Sequence, residues 1–146
     1  MSRFWYNDFM KEIEVISRTV ILDSSRILLC KGKGDYYSLP GGHVEFGETA
    51  EAALRRELME ELGAEVKSAQ FIGSHENVFD QDGKRHHEFN FVFLVVLKSN
   101  EVRAAEDHLE FVWQHIETAN YLPKELCVAV RKWRGDKEAF WLSSVT

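Results

Sequence analysis

LPGGHVEFGETAEAALRRELMEELG, residues 39–63, sets a helix-forming run directly behind a glycine pair. Pro40 steers Leu39 away from helical geometry. Gly41-Gly42 opens backbone shapes closed to other residues. Thr49 is a plausible N-cap, and Glu48 and Glu51 suit the positive end of a helix dipole. Gly63 is a good C-terminal stop. The predicted helix is therefore Ala50–Leu62. At 100° per residue, Leu54, Leu58 and Leu62 form one apolar stripe. Glu57, Glu60 and Glu61 border that stripe instead of pointing away from it.

This placement needs a reason. Like charges at i,i+4 repel by roughly 0.2–0.5 kcal/mol. A solvated acidic face usually mixes signs or sits opposite the apolar stripe. Partly buried carboxylates packed together raise one another's pKa and lose charge. A divalent cation removes that penalty, and Mg²⁺ and Mn²⁺ prefer hard oxygen ligands. The helix thus reads as one wall of an oxygen-ligand site for Mg²⁺ or Mn²⁺.

The rest of the chain gives this helix a β-rich setting. Residues 12–22 read as a strand, Asp23-Ser24-Ser25 as a turn and residues 26–30 as the return strand. KGKGDYY, residues 31–37, reads as a loop leading into a short extended piece at residues 37–39. Residues 66–79 are extended, Asp82-Gly83 signals a hairpin, and EFNFVFLVVL, residues 88–97, is a strong strand. A short strand at residues 109–113 and a second helix at residues 122–133, with Pro123 near its start, follow. The 146 residues suit one domain, with residues 1–11 as an N-terminal extension. The fold class is α/β or α+β with a mixed β-sheet, including the α/β/α sandwich.

Composition excludes several classes of function. Eighteen basic against 24 acidic residues give a net charge of −6, which argues against nucleic-acid or anionic-membrane partners. A small phosphorylated substrate stays compatible, because a bound cation inverts the local field. No apolar run approaches a membrane span, and residues 1–12 lack the apolar core of a secretory signal. Two cysteines in apolar segments fit buried, reduced thiols and a cytoplasmic location.

The segment resembles the Nudix box, G-x5-E-x7-R-E-U-x-E-E-x-G-U with U aliphatic. It runs here as Gly42, Glu48, Arg56, Glu57, Leu58, Glu60, Glu61, Gly63 and Ala64. Ala64 is a small substitute for a larger aliphatic residue. LPGG and the segment from Glu110 to Pro123 extend the likeness. The resemblance implies a Nudix-type α/β/α sandwich with a mixed β-sheet. It implies metal-dependent hydrolysis of a nucleoside diphosphate linked to another moiety. It also implies Glu57, Glu60 and Glu61 as metal ligands, with the Gly41 carbonyl adding an oxygen. Glu48 and Arg56 would be an orienting pair. A catalytically silent nucleotide-binding sensor of the same fold is the alternative function.

The general base stays open on sequence grounds. Glu88 starts a strand on which it shares a face with Asn90; Glu106, Asp107 and Glu110 compete. His43, His86 and His87, and the loop cations Lys31, Lys33, Lys84 and Arg85, are candidate phosphate contacts, with simple exposure to solvent as the default reading. Phe4-Trp5-Tyr6 is a candidate for covering the sheet, contacting another subunit or stacking on a base. Among subgroup markers, neither the proline of ADP-ribose enzymes nor the tyrosine of dinucleoside polyphosphate enzymes stands around Phe79-Asp80-Gln81. A nucleoside triphosphate and a nucleotide sugar both remain open as substrate. A homodimer is the base-rate expectation.

Overall fold

The computed structural model describes residues 12–145; Phe4-Trp5-Tyr6 lies outside them. The sheet is built on β1 (Ile13–Asp23), which turns through Ser24-Ser25 into β2 (Arg26–Lys31). The two strands pair only at Leu22↔Ile27 and Asp23↔Arg26. Below that point the sheet parts. β2 pairs with β3 (Tyr37–Ser38) and with β7 (Glu110–His115), while β1 pairs with β4 (Gly41–His43). On its other side β1 runs parallel to β6 (Lys84–Leu97). β6 forms a long hairpin with β5 (Val66–Gln81), and β8 (Phe140–Val145) adds parallel to β5. The sheet is mixed, in the order β3-β2-β1-β6-β5-β8.

Alternation along the strands sends neighbouring residues to opposite faces, and each face carries one helix. Val20 and Val92 pack in a cluster with Leu126, Val130 and Trp133 of α2 (Lys124–Asp136). Ile21 and Val95 pack with Leu54, Leu58 and Leu62 of α1 (Ala50–Leu62). The architecture is the expected α/β/α sandwich.

Helix α1 has the predicted bounds. Thr49 Oγ1 accepts from Ala52 N at 3.0 Å, and Gly63 adopts φ 60°, its N–H reaching the Leu58 and Met59 carbonyls. Asp82 and Gly83 make the β5–β6 turn with φ of 52° and 74°. Three features depart from the sequence expectation. The glycine pair lies in a strand, not a loop. β6 begins at Lys84, so Lys84 and Arg85 are strand residues, and Lys31 ends β2. The second helix starts at Lys124 and runs on to Asp136, and β8 follows it. β8 is short and takes its place from distant contacts: the Phe140 ring occupies the space where a side chain at position 73 would project, so Gly73 is required there.

Burial of Leu58 is complete. Leu58→Ala will cost about 2–5 kcal/mol and Thr49→Ala about 1 kcal/mol, read as shifts in the urea midpoint. His75, wholly buried in β5, is held below the ordinary imidazole range by burial, with the Glu125 charge opposing. The unfolded chain takes up this proton at about pH 6.5, the folded chain only at lower pH. Stability present above about pH 6.5 is therefore lost as the pH falls below it. Thermal unfolding followed downward from pH 7 will show that decline, and His75→Gln will flatten it.

Candidate functional site

The site is organised by one arginine on α1. Arg56 grips Glu48 with two parallel bonds, Nε to Oε2 at 2.8 Å and Nη2 to Oε1 at 2.9 Å. Nη1 donates to Glu57 Oε1 at 2.9 Å and to Glu60 Oε2 at 3.4 Å, and Nη2 reaches the His43 carbonyl at 3.0 Å. A forked guanidinium suits this bidentate geometry. The pairing holds the Glu48 carboxyl down at about 2, helped by the Glu45 N–H, and it raises Arg56. Arg56 thus ties the segment before the helix to β4 and to two of the acids.

Glu61 is the strained member. Burial pushes its carboxyl up to about 8, and the adjacent Glu57 charge adds to the rise. Its Oε2 is buried with no hydrogen-bond partner. An orphaned carboxylate oxygen beside a second carboxylate is what a hard cation would satisfy. Glu60 is half exposed. Among the described residues, no three His, Cys, Asp or Glu side chains converge as a ready-made metal cluster. Two of the acids are instead turned onto Arg56, and Glu61 stays inward. The donor set fits a divalent cation in its chemistry: carboxylates on one helix edge, one of them unsatisfied.

The glycines have separate jobs. A Cβ at position 42 would lie 2.3 Å from Glu57 Cδ, so Gly42 makes room for that carboxylate. Gly41 has φ 149°, and a Cβ there would fall 1.9 Å from the Ser17 carbonyl oxygen. Ladder bonds at Thr19–Pro40 and Val15–Val44 alternate along the strand, so Gly41, opposite Arg18, sits at an unbonded position. Its carbonyl is free of β1. The sequence reading credited the glycine pair with backbone freedom and with a free carbonyl; the approach of the Ser17 backbone to Gly41 and the space Glu57 takes beside Gly42 are further demands.

A cavity of about 530 Å³ is lined among others by Arg18, Tyr36, Asn77, Phe79, Glu88 and Glu125, and none of the three α1 acids lines it. Arg18, which the sequence gave no reason to single out, donates from Nε to Asn90 Oδ1 at 3.2 Å and from Nη1 to the Leu39 carbonyl at 3.2 Å. Its charge acts on Glu61. Since arginine can only donate, Asn90 turns its oxygen to Arg18 and its Nδ2 to Glu88 Oε2 at 3.3 Å. Glu88 therefore faces the cavity, while Glu106, in the loop before β7, is the outside carboxylate whose charge reaches Glu61.

Other candidates are engaged elsewhere. His43 Nε2 and His86 Nδ1 flank Glu14 at 2.9 and 3.1 Å, and His86 stacks on Phe79. His87 pairs with Glu76 at 3.1 Å. Lys31 pairs with Asp35 and Arg85 with Asp80. Glu110 meets the Tyr37 hydroxyl at 3.5 Å.

Comparison with known proteins agrees with this picture. The NUDIX domain model matches residues 14–134. The chain is 35% identical over 109 residues to an ADP-ribose pyrophosphatase of Methanocaldococcus jannaschii, covering 72% of this chain and 62% of that protein. It therefore spans less than two thirds of that relative's length. It is 31% identical over 127 residues to the nucleoside triphosphatase NudI of Escherichia coli, covering 77% of this chain and 88% of NudI. The crystal structure of a MutT NUDIX hydrolase from Burkholderia pseudomallei superposes with a TM-score of 0.71 at 26% identity, over 83% of this chain and 98% of that one. A matching domain model across most of its length, related sequences and a shared fold make this chain a member of the Nudix hydrolase family.

Proposed function

We propose that the chain hydrolyses a pyrophosphate bond in a nucleoside diphosphate linked to another moiety, with Mg²⁺ or Mn²⁺ held by Glu57, Glu60, Glu61 and the Gly41 carbonyl. The buried, unpartnered Glu61 Oε2 beside Glu57 carries this reading. The family acts on nucleoside diphosphate derivatives, and its members generally need divalent cations. The names of the two relatives, an ADP-ribose pyrophosphatase and a nucleoside triphosphatase, define the two substrate classes to test first.

The roles follow from the geometry. A bound divalent ion would join phosphate oxygens to the carboxylates, polarise phosphorus and lower the pKa of a bound water. Arg56 keeps Glu57 and Glu60 aimed and neutralises part of their mutual repulsion. Glu48 holds Arg56 in place and has its own charge satisfied, so it orients and does not react. The cavity beside Arg18 offers Tyr36 and Phe79 as apolar walls and Asn77 as an amide that both donates and accepts. This combination suits a nucleoside.

Glu106, which pairs with His108 at 3.2 Å, and Glu88, which accepts from Asn90 at 3.3 Å, are the two candidate proton acceptors, and Glu106 is tested first. The intact set of Arg56 and three glutamates favours turnover over a binding-only sensor. The free, buried Cys30 and Cys127 suit a reducing compartment such as the cytoplasm.

A panel of nucleoside triphosphates, ADP-ribose and nucleotide sugars, assayed with and without Mg²⁺ or Mn²⁺, will show metal-dependent release of phosphate products. Glu57→Gln and Glu61→Gln will each lower turnover about 10²-fold or more. Unchanged turnover in both variants would overturn the metal assignment. Glu106→Gln will lower kcat by about 10²- to 10⁴-fold, whereas Glu88→Gln will act mainly on KM. The reverse pattern would make Glu88 the proton acceptor.

A further inference from the structure

Arg18 differs in its surroundings from the other arginine of the site. Arg56 is met by three carboxylates within hydrogen-bond range. Among the described residues, no carboxylate oxygen comes within 4.0 Å of the Arg18 guanidinium. Its acceptors are an amide oxygen and a backbone carbonyl, both neutral. Two of its five N–H groups are used, and Nη2 has no acceptor among the described residues. A half-buried cation with no carboxylate in hydrogen-bond range is costly. The two bonds it does make fix the plane of the guanidinium from behind, on β6 and on the segment before β4. Arg18 lines the cavity, and it stands opposite Gly41 of β4, the strand whose next residue, Gly42, packs against Glu57.

We propose that Arg18 is the substrate's phosphate anchor: its open N–H edge binds non-bridging oxygens of the phosphate attached to the nucleoside. The inference rests on the pyrophosphohydrolase reading above and adds the residue that sets substrate direction. A guanidinium fork matches phosphate oxygens two at a time. With the nucleoside in the cavity, a phosphate held by Arg18 would lie beside β4, whose Gly42 packs against Glu57. Asn90 is the positioning residue behind it, since its oxygen fixes Nε while its amide fixes Glu88. The charge arrangement also gives selectivity. The acids repel a phosphate that arrives without a cation, and Arg18 offers an attractive contact on the approach side.

The test uses the full chain with Arg18→Gln and Arg18→Lys, each checked for a native-like melting transition. Two affinities are measured in Mg²⁺ buffer: a methylene-bridged, non-hydrolysable nucleoside diphosphate and the matching free nucleoside. Arg18→Gln is expected to weaken the methylene-bridged nucleotide about 10- to 100-fold. The free nucleoside should stay within about twofold. In turnover, KM for the hydrolysed nucleotide should rise more than kcat falls. Arg18→Lys should recover part of the affinity, because the charge remains while the fork is lost. Equal weakening of nucleotide and nucleoside would mean that Arg18 only supports the cavity wall, and would overturn the proposal. Unchanged nucleotide affinity would overturn it as well. If Arg18→Gln does not fold, Arg18→Lys decides alone: a nucleotide-selective loss supports the anchor, and a non-selective or absent loss overturns it. The binding arm needs no turnover, so failure of the wild-type chain to hydrolyse any nucleotide would count against the enzymatic reading and not against Arg18.

Discussion

The structure turns on a conflict placed at the edge of one helix. Glu57 and Glu61 stand one turn apart beside the apolar stripe that fixes α1 to the sheet. Leu58 and Leu62 of that stripe are buried, Leu58 completely. Burial and the neighbouring charge press the Glu61 carboxyl toward its neutral form. Arg56 relieves only Glu57 and Glu60. What is left over is a carboxylate oxygen with no partner, the deficit that the proposed divalent cation would fill.

The fold is arranged to keep that conflict in place. Ser17 donates to the Ala50 carbonyl at 2.6 Å, fixing the first turn of α1 against β1. β4 pairs with the same stretch of β1 and presents glycine where Glu57 needs space. The parting of the sheet below Leu22 and Asp23 lets β4 enter between β1 and β2. The parallel pairing of β1 with β6 then sets Arg18, Asn90 and Glu88 along the face that carries the cavity. One strand thus serves the carboxylates through Ser17 and the cavity through Arg18, its side chains alternating between the two faces.

Local signals were legible and long-range ones were not. The span of α1, its cap at Thr49 and its stop at Gly63 all follow from short-range chemistry, and so does the turn at Asp82-Gly83. The acids could be picked out because their position relative to the leucines is periodic. The strand character of Gly41–His43 could not, because glycine has little strand propensity and the pairing partner lies far off in the chain. β8 was missed for the same reason: six residues have no periodicity long enough to weigh, and its place depends on Gly73. Arg18 carried no signal at all. A lone arginine in a strand reads as an exposed edge residue until the partner that orients it, Asn90, is brought alongside from 72 residues away. The histidines gave the opposite lesson. Phosphate contact was only one reading of them, beside simple exposure on a hairpin, and in the fold His43 and His86 are held by Glu14, whose carboxyl, though raised by burial, is lowered on balance by those two partners.

The most direct test of the central claim is anomalous diffraction at the manganese edge from crystals grown with Mn²⁺ and a non-hydrolysable nucleotide. The account predicts a manganese peak bound by the carboxylates of Glu57 and Glu61, with the Gly41 carbonyl turned toward it. Nucleotide seated in the cavity with no metal on those oxygens, or manganese bound only at another site, would contradict it.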